Sequence, residues 1–181
     1  MKNDDVVITS AFRTAIGSFN GSLSSKTAPE LGSTVIKKCV ENSELKKEEI
    51  DMVYMGQVLT TGTGQNPARQ ASILAGLANE TTNTTVNQVC GSGLASVALA
   101  YNSIKSGDGE VIIAGGQESM TNSPHYMNIR KGIKMGDGEA ADRHSGRLDY
   151  RSSDGIRIGL LVQNNGGSQS RVHDGPDQQH C

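Results

Sequence analysis

The sequence has no tryptophan, only 3% aromatic residues and three cysteines among 181 residues. Because few large side chains are available to bury, the composition supports a modest core, typical of one domain with an appended segment. The cysteines at 39, 90 and 181 are odd in number and widely spaced. This pattern matches neither a disulfide framework nor a zinc site and favours a reducing compartment.

Several functional classes lack their usual signatures. The net charge is −2 with no basic stripe, which argues against nucleic-acid binding. No segment reaches the apolar length of a membrane span, so no membrane association is expected. The acidic N-terminus resembles neither a secretory signal nor a transit peptide, which favours the cytoplasm and leaves mitochondrion and peroxisome open. His144, His173 and His180 lack metal-ligand spacing, so no metal is expected.

Apolar periodicity predicts four strands that alternate with three helices. The strands are expected at residues 6–10, 51–58, 84–89 and 111–114. The first helix is expected to begin at residues 27–30 and to end near residues 41–43, and the other two to span residues 68–75 and 92–106. Thr27 and Glu30 form a capping-box pattern before the first helix, and Asn66-Pro67 is a start signal for the second. The order β-α-β-α-β-α-β predicts an α/β fold with a mainly parallel sheet and right-handed crossovers.

The composition changes near residue 138. All nine lysines lie at or before Lys134, whereas five of the eight arginines follow Gly138. Residues 139–181 contain only 11 apolar residues of 43 and show no clear period, so residues 138–181 are predicted to form a divergent, disordered tail after a domain at 1–137. One hypothesis for this change is that the tail is read in a shifted frame.

Cys90 is the strongest candidate for chemistry. A predicted strand leads into residues 86–93 (VNQVCGSG), where two glycines follow the cysteine and a helix begins. This arrangement resembles a nucleophile elbow, in which a sharp strand-to-helix turn exposes the reactive atom. The helix N-terminus would favour the thiolate, and its free N–H groups would stabilise an oxyanion. The alternative is that Cys90 is a small buried residue, and spacing alone leaves both interpretations open.

The remaining candidates favour structural roles. Cys39 lies on the apolar stripe of the first helix, which indicates a core residue. His125 follows Ser-Pro in a predicted loop and is interpreted as a surface or interface residue rather than a general base. Glu118 is a lone acid whose expected role is structural hydrogen bonding. No glycine-rich nucleotide-binding motif follows a strand.

Several motifs together resemble the thiolase family, in its order and spacing. They lie at residues 13–21 (RTAIGSFNG), 64–70 (GQNPARQ), 87–93 (NQVCGSG), 114–120 (AGGQESM), 123–125 and 134–137. The resemblance covers roughly residues 5–137 and is greatest to the acetyl-CoA acetyltransferase branch. Gln117 stands where the family usually has methionine. Residues from about 121 onward would begin the family's loop domain.

The resemblance implies the N-terminal half of a fold with two similar α/β halves packed face to face. It implies that Cys90 takes an acetyl group from acetyl-CoA, with its backbone N–H in an oxyanion hole, and that a second acetyl-CoA then condenses with the thioester to acetoacetyl-CoA. Thiolysis is the reverse reaction. The implied reaction uses coenzyme A thioesters as substrates, requires no cofactor, and belongs to a homo-oligomer.

The resemblance also implies what these 181 residues lack. The family's N-x-G-G-G-x-x-x-G-H-P motif and its C-terminal C-x-G motif do not occur, so the chain alone is expected not to turn over. One face of the helix at 92–106 is expected to lose its partner. An alternative is a non-catalytic fragment that pairs with intact thiolase subunits through residues 64–70 and 125–134. A ketoacyl-synthase-type condensing enzyme is a third possibility, less compatible with the sequence around Cys90.

Overall fold

The computed structural model describes residues 5–125, 153–154 and 158–164. The elements are β1 (Val6–Arg13), β2 (Gly17–Ser18), α1 (Ala28–Asn42), β3 (Met52–Gly56), α2 (Pro67–Ala75), β4 (Thr82–Val86), α3 (Ser92–Ser106), β5 (Val111–Gly116), β6 (Ser153–Asp154) and β7 (Ile158–Asn164), with a short 3-10 helix at Lys47–Glu49. The predicted alternation of four strands and three helices is confirmed. Strand β4 ends three residues earlier than expected, because the chain turns from Asn87 onward.

Five strands form one mixed sheet in the order β1-β7-β5-β3-β4. Strand β3 pairs in parallel with both β4 and β5. Strand β7 runs antiparallel to β1 and to β5, between which it lies. Strands β1, β3, β4 and β5 therefore point in one direction, which confirms the predicted mainly parallel sheet and brings their carboxyl ends to one edge.

The expectation of a tail without regular structure is wrong for β6 and β7. Strand β7 has buried residues on both faces, because Leu161 packs with the α1 and α2 side and Val162 with the α3 side. A strand covered on both faces shows a continuous apolar run instead of alternation. In β7 that run is short and is surrounded by polar residues, so the sequence pattern does not indicate a strand. Residues 126–152 and 165–181 lie outside the described residues, so the boundary near residue 137 and the shifted-frame hypothesis stay predictions.

Helices cover both faces of the sheet. Helices α1 and α2 pack on one face around Ile36, Met55 and Ile113, all of which are fully buried. Helix α3 packs on the other face, where Ala100 and Ile104 contact a second apolar cluster. The sheet is therefore the middle of three layers, and within the described residues the third layer consists of α3.

Helix α3 approaches the sheet through glycines. A Cβ atom placed on Gly56 would lie 2.6 Å from the backbone carbon of Ser92, and one on Gly116 would lie 3.5 Å from the Cα of Gly93. The first turn of α3 thus rests directly on the carboxyl ends of β3 and β5, where a side chain on Gly56 has no room.

The first three turns of α3 face the sheet with small residues and the last with Ile104, whereas Leu94 and Tyr101 face away from it. The buried positions repeat every four residues at Ser92, Ser96, Ala100 and Ile104. In contrast, Leu94 is 77% exposed and Tyr101 is 48% exposed. The sequence leads us to expect a helix face without a partner, and the outward side chains of Leu94 and Tyr101 form it.

The predicted capping box begins α1. The Thr27 hydroxyl accepts the Glu30 N–H at 3.4 Å, and a Glu30 carboxylate oxygen accepts the Thr27 N–H at 2.8 Å. The hydrogen bond from the Thr27 backbone is the main reason that the pKa of Glu30 is lowered. Both orphan donors at this helix end are therefore satisfied.

Replacing the capping hydroxyl should destabilise the fold. We expect Thr27→Ala to lower the free energy of unfolding by about 1 kcal/mol, because a backbone N–H loses its acceptor. Urea titration followed by circular dichroism measures the change. Thr34→Ala is the matched control, since Thr34 lies within the same helix and alanine is the better helix former. An equal loss in both variants would contradict the role of the cap.

Adding a methyl group at the contact between α3 and the sheet should destabilise the fold more than removing the Thr27 hydroxyl. We expect Gly56→Ala to destabilise the chain by about 1–3 kcal/mol, because its Cβ meets the Ser92 backbone. Gly93→Ala is the control, since its Cβ comes no closer than 4.0 Å to a neighbour and alanine favours a helix. Equilibrium unfolding compares the two, and tolerance of Gly56→Ala would refute the close contact.

Candidate functional site

Three connections leave the sheet at the edge where the parallel strands end. They follow β3 at residues 57–66, β4 at residues 87–91 and β5 at residues 117–125. In open α/β sheets this carboxyl edge is the usual place for ligands. Cys90 lies in the second connection, between the end of β4 and the start of α3.

The turn that presents Cys90 is strained. Val89 adopts a positive φ of 50°, although it is β-branched. Such a conformation is an outlier for this residue type and persists only where surrounding contacts hold it. Gly91 is the N-cap residue of α3, so Cys90 stands one position before it. This is the strand–turn–helix geometry expected of a nucleophile elbow.

Two side chains hold the strained turn. The Ser92 hydroxyl donates to the Val89 carbonyl at 2.6 Å and accepts the Gln88 N–H at 2.9 Å. The Asn87 Oδ1 atom accepts the Val89 N–H at 3.1 Å. Val89 is 60% exposed, so these hydrogen bonds rather than apolar packing maintain its backbone conformation.

The two cysteines in the described part of the chain differ in environment. Cys90 is exposed, so the alternative that it is a buried residue is wrong. Cys39 is fully buried, and its Sγ donates to the Gly159 carbonyl at 3.1 Å. Burial raises the pKa of the Cys39 thiol, which makes it a poor nucleophile and confirms its structural role.

The other candidates from the sequence, His125 and Glu118, form no hydrogen bond with Cys90 among the described residues. His125 is exposed, and no hydrogen bond within residues 5–125 connects it to Cys90. The Glu118 carboxylate accepts the N–H of Val58 at 2.8 Å and of Leu59 at 3.1 Å, which confirms a structural hydrogen-bonding role. Among the described residues, no group of histidines, cysteines and acids is placed to hold a metal ion.

Sequence reasoning missed the residues that support the turn. Asn87 and Ser92 flank Cys90 closely, and an asparagine two residues before a left-handed position is a recognisable signal for an Asx-type bond. Nothing in the sequence pattern connects Glu118 with this turn, because its partners lie about 60 residues earlier.

An open cleft lies beside the turn, along the edge strand β4. Its volume is about 460 Å³, and its lining includes Gln57, Thr60, Asn66 and Asn87. Cys90 is not part of that lining. The cleft therefore adjoins the support of the nucleophile turn rather than the thiol itself.

Gln117 is accommodated by a buried partner. Its Nε2 donates to Gln57 Oε1 at 2.9 Å and to the Pro67 carbonyl at 3.2 Å. Gln57 in turn donates to the Leu59 carbonyl at 2.8 Å. The two glutamines thus form a polar link between the ends of β3 and β5 and the start of α2.

Comparison with known proteins gives a consistent match. The family model "Thiolase, N-terminal domain" matches residues 6–163. Acetyl-CoA acetyltransferase of Cupriavidus necator is 54% identical over 139 residues, which are 76% of this chain and 35% of that protein. The Escherichia coli protein of the same name is 51% identical over 78% of this chain and 36% of its own length.

The cytosolic acetyl-CoA acetyltransferase of Rattus norvegicus is 48% identical over 140 residues, covering 77% of this chain and 35% of that protein. The chain spans about a third of the length of the curated relatives it matches. No helix in the described ranges is long and apolar enough to cross a membrane. Because the family match extends over most of the sequence and includes the Cys90 turn, this chain belongs to the thiolase family.

Proposed function

We propose that Cys90 accepts an acetyl group from acetyl-CoA as a thioester, which is the first half of a thiolase reaction. The observation that carries the proposal is the exposed thiol on a strained turn, one residue before the N-cap of α3. The relatives named acetyl-CoA acetyltransferase support the choice of substrate. Coenzyme A thioesters are the only other components that this step requires.

The step is covalent catalysis by a thiolate. The Cys90 sulfur attacks the thioester carbonyl of acetyl-CoA, a new carbon–sulfur bond forms, and the bond to the coenzyme A sulfur breaks. The coenzyme A thiolate leaves and takes up a proton. We place the Cys90 backbone N–H beside the oxygen that becomes negative in the transition state, close to the positive end of the α3 dipole.

The second half of the reaction requires a base that removes a proton from another acetyl-CoA. The C-x-G motif, whose cysteine would act as acid and base in the family, does not occur in the 181 residues, nor does the histidine motif that would activate the nucleophile or form an oxyanion hole. We therefore propose that this chain by itself transfers acetyl to Cys90 but does not form acetoacetyl-CoA. We further propose a cytosolic location, which the name of the rat relative supports.

A second candidate function is a non-catalytic fragment that pairs with intact thiolase subunits. The exposed side chains of Leu94 and Tyr101, seven residues apart on one face of α3, favour it, since an apolar helix face of this kind is usually covered. Residues 64–70, proposed from the sequence as a contact region, contain the N-cap of α2, where Asn66 also donates to the Asn83 carbonyl at 3.0 Å. Most of the other region, 125–134, lies outside the described residues.

Acetyl-CoA labelled in its acetyl group should modify the purified chain at Cys90. We expect about one label per chain, released by hydroxylamine because the bond is a thioester. Cys90→Ala should abolish the label, whereas Cys39→Ala should retain it because Cys39 is buried. Scintillation counting after gel filtration gives the measurement. Equal labelling of the parent and Cys90→Ala would contradict the proposal.

The same chain should not complete the reaction. We expect no acetoacetyl-CoA by liquid chromatography after prolonged incubation with acetyl-CoA, because no second proton-transfer group is supplied. Intact Escherichia coli acetyl-CoA acetyltransferase serves as the positive control for product detection. Repeated turnover by the chain alone would overturn this part of the account.

The fragment hypothesis has its own test. If the chain pairs with intact subunits through α3, mixtures with the Escherichia coli protein should co-elute in gel filtration, and Leu94→Arg combined with Tyr101→Arg should abolish co-elution. Lys38→Glu, which changes an exposed charge on α1 in the opposite layer of the fold, is the control. Independent elution of the parent chain would reject the pairing.

A further inference from the structure

We propose that Glu118 is a positioning residue for the Cys90 thiol, acting through the Val58–Leu59 peptide and Asn87. The proposal rests on the proposed function, because it concerns the geometry that acetyl transfer requires. It adds a role for a residue after β5 that touches neither the thiol nor its turn. One unbroken series of hydrogen bonds leads from the carboxylate to the residue that precedes Cys90.

The series begins where β3 and β5 end. The register pairs Gly56 with Gly116, so the connections after these strands run side by side. Each oxygen of the Glu118 carboxylate accepts one backbone N–H, from Val58 at 2.8 Å and from Leu59 at 3.1 Å. A charged acceptor shared by two consecutive amides holds this backbone more firmly than neutral hydrogen bonds would.

The held peptide orients Asn87. The Val58 carbonyl belongs to the same peptide unit as the Leu59 N–H, and it accepts from the Asn87 Nδ2 at 3.3 Å. A carboxylate that polarises the N–H of a peptide makes its carbonyl oxygen a better acceptor. Since Asn87 is exposed, this contact rather than burial sets the orientation of its amide group.

Asn87 connects the Val58–Leu59 peptide to the strained residue Val89. With Nδ2 directed to Val58, the Oδ1 atom accepts the Val89 N–H at 3.1 Å. The series therefore runs from Glu118 through one peptide and one side-chain amide to the left-handed Val89, which is joined to Cys90. If the hydrogen bonds to the Glu118 carboxylate weaken, the Val89 backbone can leave its unfavourable conformation. The Cys90 thiol then moves relative to the start of α3.

Asp51 offers a matched control at the opposite edge of the sheet. Its carboxylate also accepts two consecutive backbone N–H groups, from Glu110 at 2.8 Å and from Val111 at 3.0 Å. Asp51→Asn and Glu118→Gln therefore remove the same charge from the same kind of contact. Asp51 lies at the amino ends of β3 and β5, away from the Cys90 turn at their carboxyl ends.

The first measurement does not depend on acetyl transfer. Hydrogen exchange of the Val89 amide, followed by NMR, should accelerate roughly tenfold in Glu118→Gln, as expected for a weakened charge-assisted hydrogen bond. It should stay within about twofold of the parent in Asp51→Asn. If Val89 responds equally to both variants, Glu118 acts only on global stability and the proposal is wrong.

The second measurement separates positioning from simple accessibility. Acetylation of Cys90 by acetyl-CoA should slow roughly tenfold in Glu118→Gln, because the transfer depends on orientation. Alkylation by iodoacetamide, run at a pH high enough to ionise the thiol in every variant, should change less than about twofold, because it needs an accessible thiolate but no fixed orientation. Buried Cys39 monitors unfolding in the same sample, and all variants carry Cys181→Ser. An equal loss in both reactions would overturn the proposal.

A double-mutant cycle tests the route. Asn87→Ala should reproduce the effect of Glu118→Gln, and the double variant should be no worse than either single variant, because both break the same series. Additive effects would show that Glu118 acts by another path. Glu118→Asp replaces Glu118→Gln if the latter does not fold. A parent chain that fails to acetylate would reject the proposed function alone, since Val89 exchange still tests Glu118.

Discussion

The contact between the first turn of α3 and the carboxyl ends of β3 and β5 is the constraint on which the site depends. Gly56 and Gly116 leave no side chain between sheet and helix, so the backbone of Ser92 lies against the end of β3. A helix held this close forces the connection from β4 to turn within a few residues. The positive φ of Val89 and the exposure of Cys90 both follow from that short path.

Polar side chains maintain this geometry where apolar packing is absent. Ser92 is buried and bridges the backbone on both sides of Val89, while Asn87 binds the Val89 N–H from outside. The deeper connections after β3 and β5 are joined by the Gln57–Gln117 pair and by the Glu118 carboxylate. The carboxyl edge is thus a continuous hydrogen-bonded layer, typical of sites that must hold one reactive atom in place.

Local signals in the sequence predict the helices and strands well, but they do not predict contacts between residues that are far apart in the chain. The bounds of α3 and the capping box of α1 are confirmed, because glycine and threonine signals act within one turn. Strand β7 is missed since its burial depends on neighbours far away in the chain. The hydrogen bonds of Glu118 to Val58 and Leu59 are missed for the same reason, because they require the pairing of Gly56 with Gly116. The exposure of Cys90, left open by spacing, needed the three-dimensional structure.

The most direct test of the central claim is whether acetyl-CoA occupies the Cys90 sulfur. The chain is incubated with acetyl-CoA, unbound substrate is removed, and iodoacetamide is added before peptide mapping by mass spectrometry. The account predicts that the peptide containing Cys90 escapes alkylation after this treatment and regains it after hydroxylamine. Full alkylation of Cys90 despite prior exposure to acetyl-CoA would contradict the account.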